Sequence, residues 1–467
     1  MDVDEDGLEG PAAATGNRDL LCAPSASTAD APQLQRATAA FVCRDERFRL
    51  EKRTYDSQYA PIYFCRLEIM TPMLLERVAQ GWPGVPVSKI LDLPEGQEVA
   101  VVGTIYKEMK LKPSILDEYN KERGLENLTG RAKLAAPDDT LVLEDASARM
   151  ALRGDGCPPG PLVTGVVAAV RGAAAPGGDF DVKAVLFAHL APQPERPRAP
   201  PGPAKYVALL SGLGIGEGGD PARLALAVEY LGGFLGGATE QAMSAQVVRT
   251  VVAGGLLASS QALEAPPPQG GAAKLRQPAL SLGPLKEADM VVAQLAAAMP
   301  VDVMAGAADP ANQALPQQAL HACLLPNAAA YPTLHRVTNP HEFEVDGVAF
   351  LGTSGQNVAD VLRYSEGDDA AEALTRVLEW GHLVPTAPDT LAAYPFAADD
   401  PFVLRACPHV LFAGNQPEFA TRMVTGREGQ RVRLVCVPRF CDSGTLVLVN
   451  LATMAVHPIT FDASLEA

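Results

Sequence analysis

The sequence predicts an α+β protein in two parts: a small closed β-barrel, then a layered domain with helices packed against sheets. Three observations carry this. Between Glu98 and Leu190, five short apolar runs follow one another with turn residues between them. Beyond a proline-rich stretch, apolar runs alternate with helical stripes, the order that produces layers of helix on sheet. Between Gly347 and Arg422, three apolar runs stop abruptly at small and polar residues: GVAFLGTSGQN, WGHLVPTAPDTLAAYPF and PHVLFAGNQPEFATR. Each reads as a buried strand followed by a loop, and loops leaving strand ends are where ligands and metals sit.

Taken in order, residues 1–35 are rich in Ala, Asp, Glu, Pro, Gly and Ser without an apolar period, which predicts a disordered acidic tail. From Pro61, Tyr63, Leu67, Met70, Leu74 and Val78 recur at helical spacing. Asn127 and Gly130 signal a surface loop. VAVVGTI (99–105), LVLED (141–145), ARMALRG (148–154), LVTGVVAAVRG (162–172) and FDVKAVLFA (180–188) are the five strands of the first part, with Gly103 and Gly165 where a curved strand needs them. Five strands with a long connection after the first suit an OB-fold barrel, a generic β-sandwich being the alternative. The domain so defined spans 36–191, and PQPERPRAPPGP (192–203) is a stiff linker.

Residues 204–467 form the second domain. KYVALL (205–210), VVRTVVAG (247–254) and VDVMAG (301–306) are strands. Asp220-Pro221 is an N-cap with proline at the first helical position, ahead of the stripe Leu224, Val228, Leu231 and Leu235. A loop containing PPPQGG (266–271) precedes a helix through Leu285, Val292, Leu295 and Met299. VRLVCVP (432–438), TLVLVNL (445–451) and VHPITF (456–461) are spaced like successive antiparallel strands closing the sheet.

Composition narrows the functions. Acidic residues outnumber basic ones 55 to 38, a formal net charge of −17, which argues against direct grip on nucleic acid phosphates. The barrel carries few aromatics (Tyr106, Phe180, Phe187), so base stacking on single strands is not supported. No run of eighteen apolar residues occurs and the N-terminus is acidic, so neither a membrane span nor a signal peptide is expected. Eight scattered cysteines do not form a disulfide framework and favour a reducing compartment. Among catalytic motifs, Gly214, Gly216 and Gly219 satisfy G-x-G-x-x-G, but Glu217 and Asp220 in the loop would repel a pyrophosphate. Ser354 in GTSGQ, with His382 and Asp389 downstream, matches neither the elbow motif nor a familiar triad order. The seven histidines form no close ligand pair, and Cys436 and Cys441 lack a second pair, so a four-ligand zinc site is not expected from spacing.

GTSGQNVADVLRYS (352–365), PTAPDTLAAYPF (385–396), DPFVL (400–404) and CPHVLFAGNQPEF (407–419) resemble the small (B) subunits of eukaryotic replicative DNA polymerases, the polymerase delta type most closely. FRLEKRTYDSQYAPIYFCRL (48–67), VVGTIYKEMKLKPSIL (101–116), LVLEDASARMAL (141–152), LLSGLGIG (209–216) and VDVMAGAADPANQALPQQALHACLLP (301–326) support the resemblance, which runs from about Phe48 to Phe461. It implies an OB domain joined to a calcineurin-like phosphoesterase domain. Catalytic relatives of that domain hold two metals at strand ends with Asp, His and Asn. In this sequence Gly212 and Gly214 stand where D-x-H would be, Gly255 at the second aspartate, and Gly306, Ala307, Ala308 and Asp309 at G-N-H-D. Gly414, Asn415, Gln416 and Pro417 stand at G-H-x-H, leaving His382 as the one possible relic. The resemblance therefore implies a subunit with no catalytic residue, no metal and no cofactor. It further implies a nuclear role in DNA replication and repair, bridging the cysteine-rich C-terminal domain of the delta catalytic subunit to the third subunit. Contact with the sliding clamp and DNA would be indirect, and no membrane is involved. The alternatives are a residually active metallophosphoesterase or 3′–5′ nuclease, or the small subunit of polymerase alpha or epsilon.

Overall fold

The structure, a computed structural model, describes residues 3–4, 34–52, 54, 56–112, 132–196, 202–216, 219–258 and 282–463. Most of the 1–35 tail, the Asn127 and Gly130 loop, part of the 192–203 linker, Glu217 and PPPQGG lie outside the described residues. The chain divides into two compact units. Met1–Glu51, Gln193–Gln356 and Pro408–Ala467 form one, and Lys52–Pro192 with Asn357–Cys407 form the other. This division differs from the linear 36–191 and 204–467 boundaries.

The first unit holds two sheets. The six-stranded one runs β11 (Leu334–Arg336), β10 (Val301–Met304), β9 (Val247–Ala253), β8 (Tyr206–Leu210), β17 (Thr445–Asn450), β18 (Val456–Thr460). Its first four strands are parallel and the last two antiparallel. The seven-stranded sheet runs β1 (Val3–Asp4), β15 (Ala420–Thr425), β16 (Arg431–Pro438), β14 (Val410–Gln416), β13 (Val348–Thr353), β12 (His341–Val345), β2 (Phe41–Cys43). Alternation along the strands explains how the layers assemble. Val207 and Leu209 of β8 enter a core shared with Phe343, Phe350 and Phe412 of the other sheet. Tyr206, Ala208 and Leu210 enter a second core with α2 (Pro221–Gly232) and α4 (Gly283–Ala298). Each such Val, Leu or Phe, fully buried, stabilises by about 1.5–3 kcal/mol. Asp220 caps α2 by accepting from the Ala222 amide at 2.9 Å, as the sequence suggests, and α3 (Ala238–Ala245) leads into β9.

One expectation fails at the C-terminus. β16 does not pair with β17: it lies parallel to β14, while β17 joins β8. A short helix α7 (Phe440–Ser443) and Gly444, at φ 64°, carry the chain from one sheet to the other. β16 and β17 each carry Val or Leu on both faces, so their sequence does not disclose which sheet each joins.

The second unit holds a closed barrel in the order β3 (Glu98–Glu108), β4 (Thr140–Glu144), β5 (Arg149–Arg153), β7 (Phe180–Leu186), β6 (Val167–Ala174). A parallel pairing of β5 with β7 closes it, Leu152 opposite Phe180. A Cβ on Gly103 would meet the Glu144 carbonyl oxygen at 2.7 Å, the close strand approach expected there. Gly165, expected inside a strand, precedes β6 instead at φ 93°. Helix α1 (Ala60–Gly81) buries Ile62, Arg66, Met70, Leu74 and Val78, a stripe with spacing four that includes a charged residue. Met70, Leu74 and Val78 pack with Trp82, Ala100, Val167, Ala169 and Val403, the last supplied by the 357–407 segment.

That segment also corrects the reading of WGHLVPTAPDTLAAYPF as a strand and loop. It contains all but the first residue of α5 (Gln356–Tyr364) and the whole of α6 (Ala370–Trp380), and α6 ends at Gly381 in the left-handed region, φ 69°. Ala371, Leu374, Val377 and Leu378 are the buried stripe of that helix. Its apolar C-terminal end resembles a buried strand, an ambiguity that periodicity alone does not resolve over so short a run.

Candidate functional site

The strand-end loops of the first unit converge on one spot. After β8 come Gly212 and Gly214, after β9 Gly254 and Gly255, after β10 Gly306 to Asp309, and after β13 Ser354. At the end of β14 stands Asn415. These loops bond to one another through the backbone. The Gly212 amide donates to Gly254 O at 2.9 Å and the Gly214 amide to Gly255 O at 3.1 Å. Asn415 sits at φ 55°, an uncommon conformation for a residue with a side chain. Its Nδ2 donates to Ser354 O at 2.9 Å and Ala253 O at 3.2 Å, while its own amide donates to Ser211 Oγ at 2.8 Å. Asn415 thus ties three strand ends together.

The packing leaves no room for side chains at the glycines. A Cβ on Gly255 would lie 2.4 Å from Asn415 Oδ1 and 2.9 Å from Gly212 Cα. One on Gly212 would lie 2.9 Å from both Arg439 Cα and Asn415 Oδ1, and one on Gly214 2.8 Å from Cys441 Sγ. Ala307 and Pro417 are exposed and Ala308 half-buried. Asp309, the carboxylate at the β10 end, accepts from the amides of Gly255 (2.8 Å), Gly306 (2.8 Å) and Leu257 (3.0 Å). Burial pushes its carboxyl above the ordinary range, against the pull of these amides. Its role here is to staple the β9 and β10 loops.

His382 belongs to the other unit and follows the helix-capping Gly381, not a strand end. Its Nε2 faces Asp400 Oδ2 at 2.9 Å. Arg66, wholly buried, completes this cluster: Nε donates to Asp400 Oδ2 at 2.8 Å, Nη1 to Pro385 O at 2.8 Å and Gly165 O at 3.2 Å, and Nη2 to Ala387 O at 2.7 Å. Burial alone would raise the Asp400 carboxyl. The charges of His382 and Arg66 and their hydrogen bonds outweigh it and hold the group well below the usual range. Fully bonded, the cluster has the character of a structural clamp.

The Ser354, His382 and Asp389 set is not assembled. His382 faces Asp400, Asp389 accepts from Lys112 Nζ at 2.6 Å, and the Ser354 amide donates to Asn339 Oδ1 at 3.0 Å. In the glycine motif, Gly214 packs on Cys441, and Asp220 is spent on the helix cap. In the barrel, Phe180 is buried, Phe187 half-buried, and Tyr106 lies under the Arg149 guanidinium at 5.8 Å. Sequence reasoning missed Arg66 and Asp400, since a buried arginine falls in an apolar stripe and its partner lies 334 residues away. Among the described residues, one group of three side chains suited to a metal lies together: Cys43, Asp45 and His341, outside the strand-end loops.

Comparison with known sequences agrees with this architecture. Residues 58–185 match the family described as the DNA polymerase delta subunit OB-fold domain, and residues 207–421 match the family of DNA polymerase alpha/epsilon B subunits. The chain is 44% identical to a DNA polymerase delta small subunit of Arabidopsis thaliana, over 90% of this chain and 95% of that one. It is 43% identical to one of Oryza sativa, over 93% and 100%. It is 38% identical to DNA polymerase delta subunit 2 of Drosophila melanogaster, over 90% and 96%. With both the barrel and the layered unit matched and identity of this order along nine-tenths of its length, the chain belongs to the DNA polymerase delta small subunit family.

Proposed function

We infer that the chain is a non-catalytic accessory subunit of nuclear DNA polymerase delta, acting in replication and repair. In this reading it joins the cysteine-rich C-terminal domain of the catalytic subunit to the third subunit, and reaches the sliding clamp and DNA only through them. The facing sheets of the first unit then represent a calcineurin-like phosphoesterase whose metal centre has been lost. The observation that supports this most is the filled strand-end cluster. Two-metal hydrolysis needs several carboxylate and imidazole ligands around an open position. Here Gly212, Gly214 and Gly255 offer no donor atoms and the backbones close over the space. The net charge of −17 suits a basic partner surface.

Co-expression with the catalytic and third subunits tests the reading. A stable three-chain complex is expected, which separates into its other two chains when this one is omitted. Failure of the catalytic subunit's C-terminal domain to bind would overturn the bridging role. Manganese-dependent cleavage of a phosphodiester by the purified chain would overturn the non-catalytic part.

A further inference from the structure

Strand β2 forms the edge of the seven-stranded sheet and pairs with β12. A 3₁₀ turn (Asp45–Phe48) follows, placing Asp45 beside His341 at the start of β12. Ligand atoms of Cys43, Asp45 and His341 all lie within 4.8 Å of one another. Asp45 and His341 are wholly buried, whereas Cys43 is half-open to solvent. Both imidazole nitrogens face carboxylates. Nδ1 lies 2.8 and 2.9 Å from the two oxygens of Asp45, and Nε2 lies 3.4 Å from Asp302 Oδ2. Asp302 is itself held by the guanidinium of Arg249. Phe343 stacks on the ring at 4.6 Å and fixes its plane.

We propose that Cys43, Asp45 and His341 form a binding site for one zinc ion, with Asp302 orienting the imidazole from behind. The donor set of one thiolate, one carboxylate oxygen and one imidazole nitrogen is the kind that selects zinc, and three protein ligands leave one position for water. Tetrahedral zinc needs ligand atoms about 3.3–3.8 Å apart, so the cluster requires an adjustment of about 1 Å to accept it. A carboxylate on the far nitrogen is the usual companion of a metal-binding histidine. Charge also suits a cation: the carboxylates of Asp45 and Asp302 face the ring from its two sides, beside one buried guanidinium, that of Arg249. Arg49 Nη2, which donates to Cys43 Sγ at 3.4 Å, is exposed and able to turn outward. Zinc here would pin the β2 segment to β12 through side chains as well as through the ladder.

The full-length chain, freed of metal with a chelator and titrated with Co²⁺ and then Zn²⁺, tests this. The expected result is one Co²⁺ per chain with a thiolate-to-cobalt charge-transfer band, displaced by zinc. Cys43→Ser, which alters a half-open side chain, removes the band and weakens binding by about 100-fold or more, since losing a direct ligand costs at least as much as losing a supporting hydrogen bond. Cys323→Ser keeps the band, which controls for the other cysteine–histidine contact, His321 Nδ1 to Cys323 Sγ at 2.9 Å. Absence of the band, its survival in Cys43→Ser or its loss in Cys323→Ser would each overturn the proposal. His341→Gln gives a further arm where it folds, with loss of binding expected and retained binding counting against the site.

Discussion

Replacing Arg66 by methionine removes the centre of the clamp while keeping most of its aliphatic volume. The change deletes four hydrogen bonds: one to Asp400 and one each to the carbonyls of Pro385, Gly165 and Ala387. A buried acceptor left without its donor costs about 1–3 kcal/mol, and breaking a buried ion pair from one side costs about 3–5 kcal/mol. His382 still faces Asp400, which offsets part of that loss. The expected destabilisation is therefore about 4 kcal/mol, with Arg66→Lys losing less because the charge stays. Both tryptophans of the chain, Trp82 and Trp380, are buried in the barrel unit, so fluorescence during urea unfolding reports on this unit. The pH dependence has a defined sign. Asp400 has its folded value held below its unfolded one, so its contribution is fully present above about pH 4 and is lost as pH falls toward the folded value. In Arg66→Met that carboxyl moves back toward its ordinary range. The gap between the two proteins is then constant above about pH 5 and narrows in acid. A difference under about 1 kcal/mol, or a gap that widens in acid, would refute this account.

The strand-end cluster gives two further expectations. Asn415→Ala loses the amide that holds Ala253 and Ser354 and costs about 2–3 kcal/mol. Asn415→Gly costs about 1 kcal/mol less, because glycine accepts the positive φ, and thermal unfolding of the pair of variants measures the difference. Gly255→Asp, which would introduce a carboxylate, does not produce a manganese site by calorimetry. It lowers Tm sharply, since its Cβ would collide with Asn415 and Gly212. In the barrel unit, Leu74→Ala opens a cavity in the core of α1 and costs about 2–5 kcal/mol by urea titration.

Much of the fold is legible from apolar periodicity. The five barrel strands and β8, β9 and β10 fall where short apolar runs place them, because a run bounded by Gly or Pro has few other outcomes. What the pattern does not contain is partnership. β16 and β17 carry Val and Leu on both faces, so either could have joined either sheet. The apolar end of α6 resembles a strand until the preceding Ala371 and Leu374 are counted with it. At the strand ends, the glycines are readable as positions that offer no side-chain donor. The use of Asn415 as a knot and Asp309 as a staple is not, since each depends on backbone groups distant in sequence. Arg66 and Asp400, and likewise Asp45 and His341, are separated by 334 and 296 residues, and no local pattern links such pairs.

The interleaved make-up of the two units bears on how the protein is made. Ribosomes add about 5–20 residues per second, so an arginine at position 66 emerges roughly 20–70 s before the aspartate at 400 that neutralises it. Once Leu186 has emerged, and until residue 400, the nascent barrel has its strands but neither its ionic partner nor Val403 against the first helix. Completion waits for the segment ending at Cys407, and the other unit waits longer, for the final strands of the chain. Newly synthesised copies therefore pass through a prolonged half-built stage with the apolar face of the first helix open.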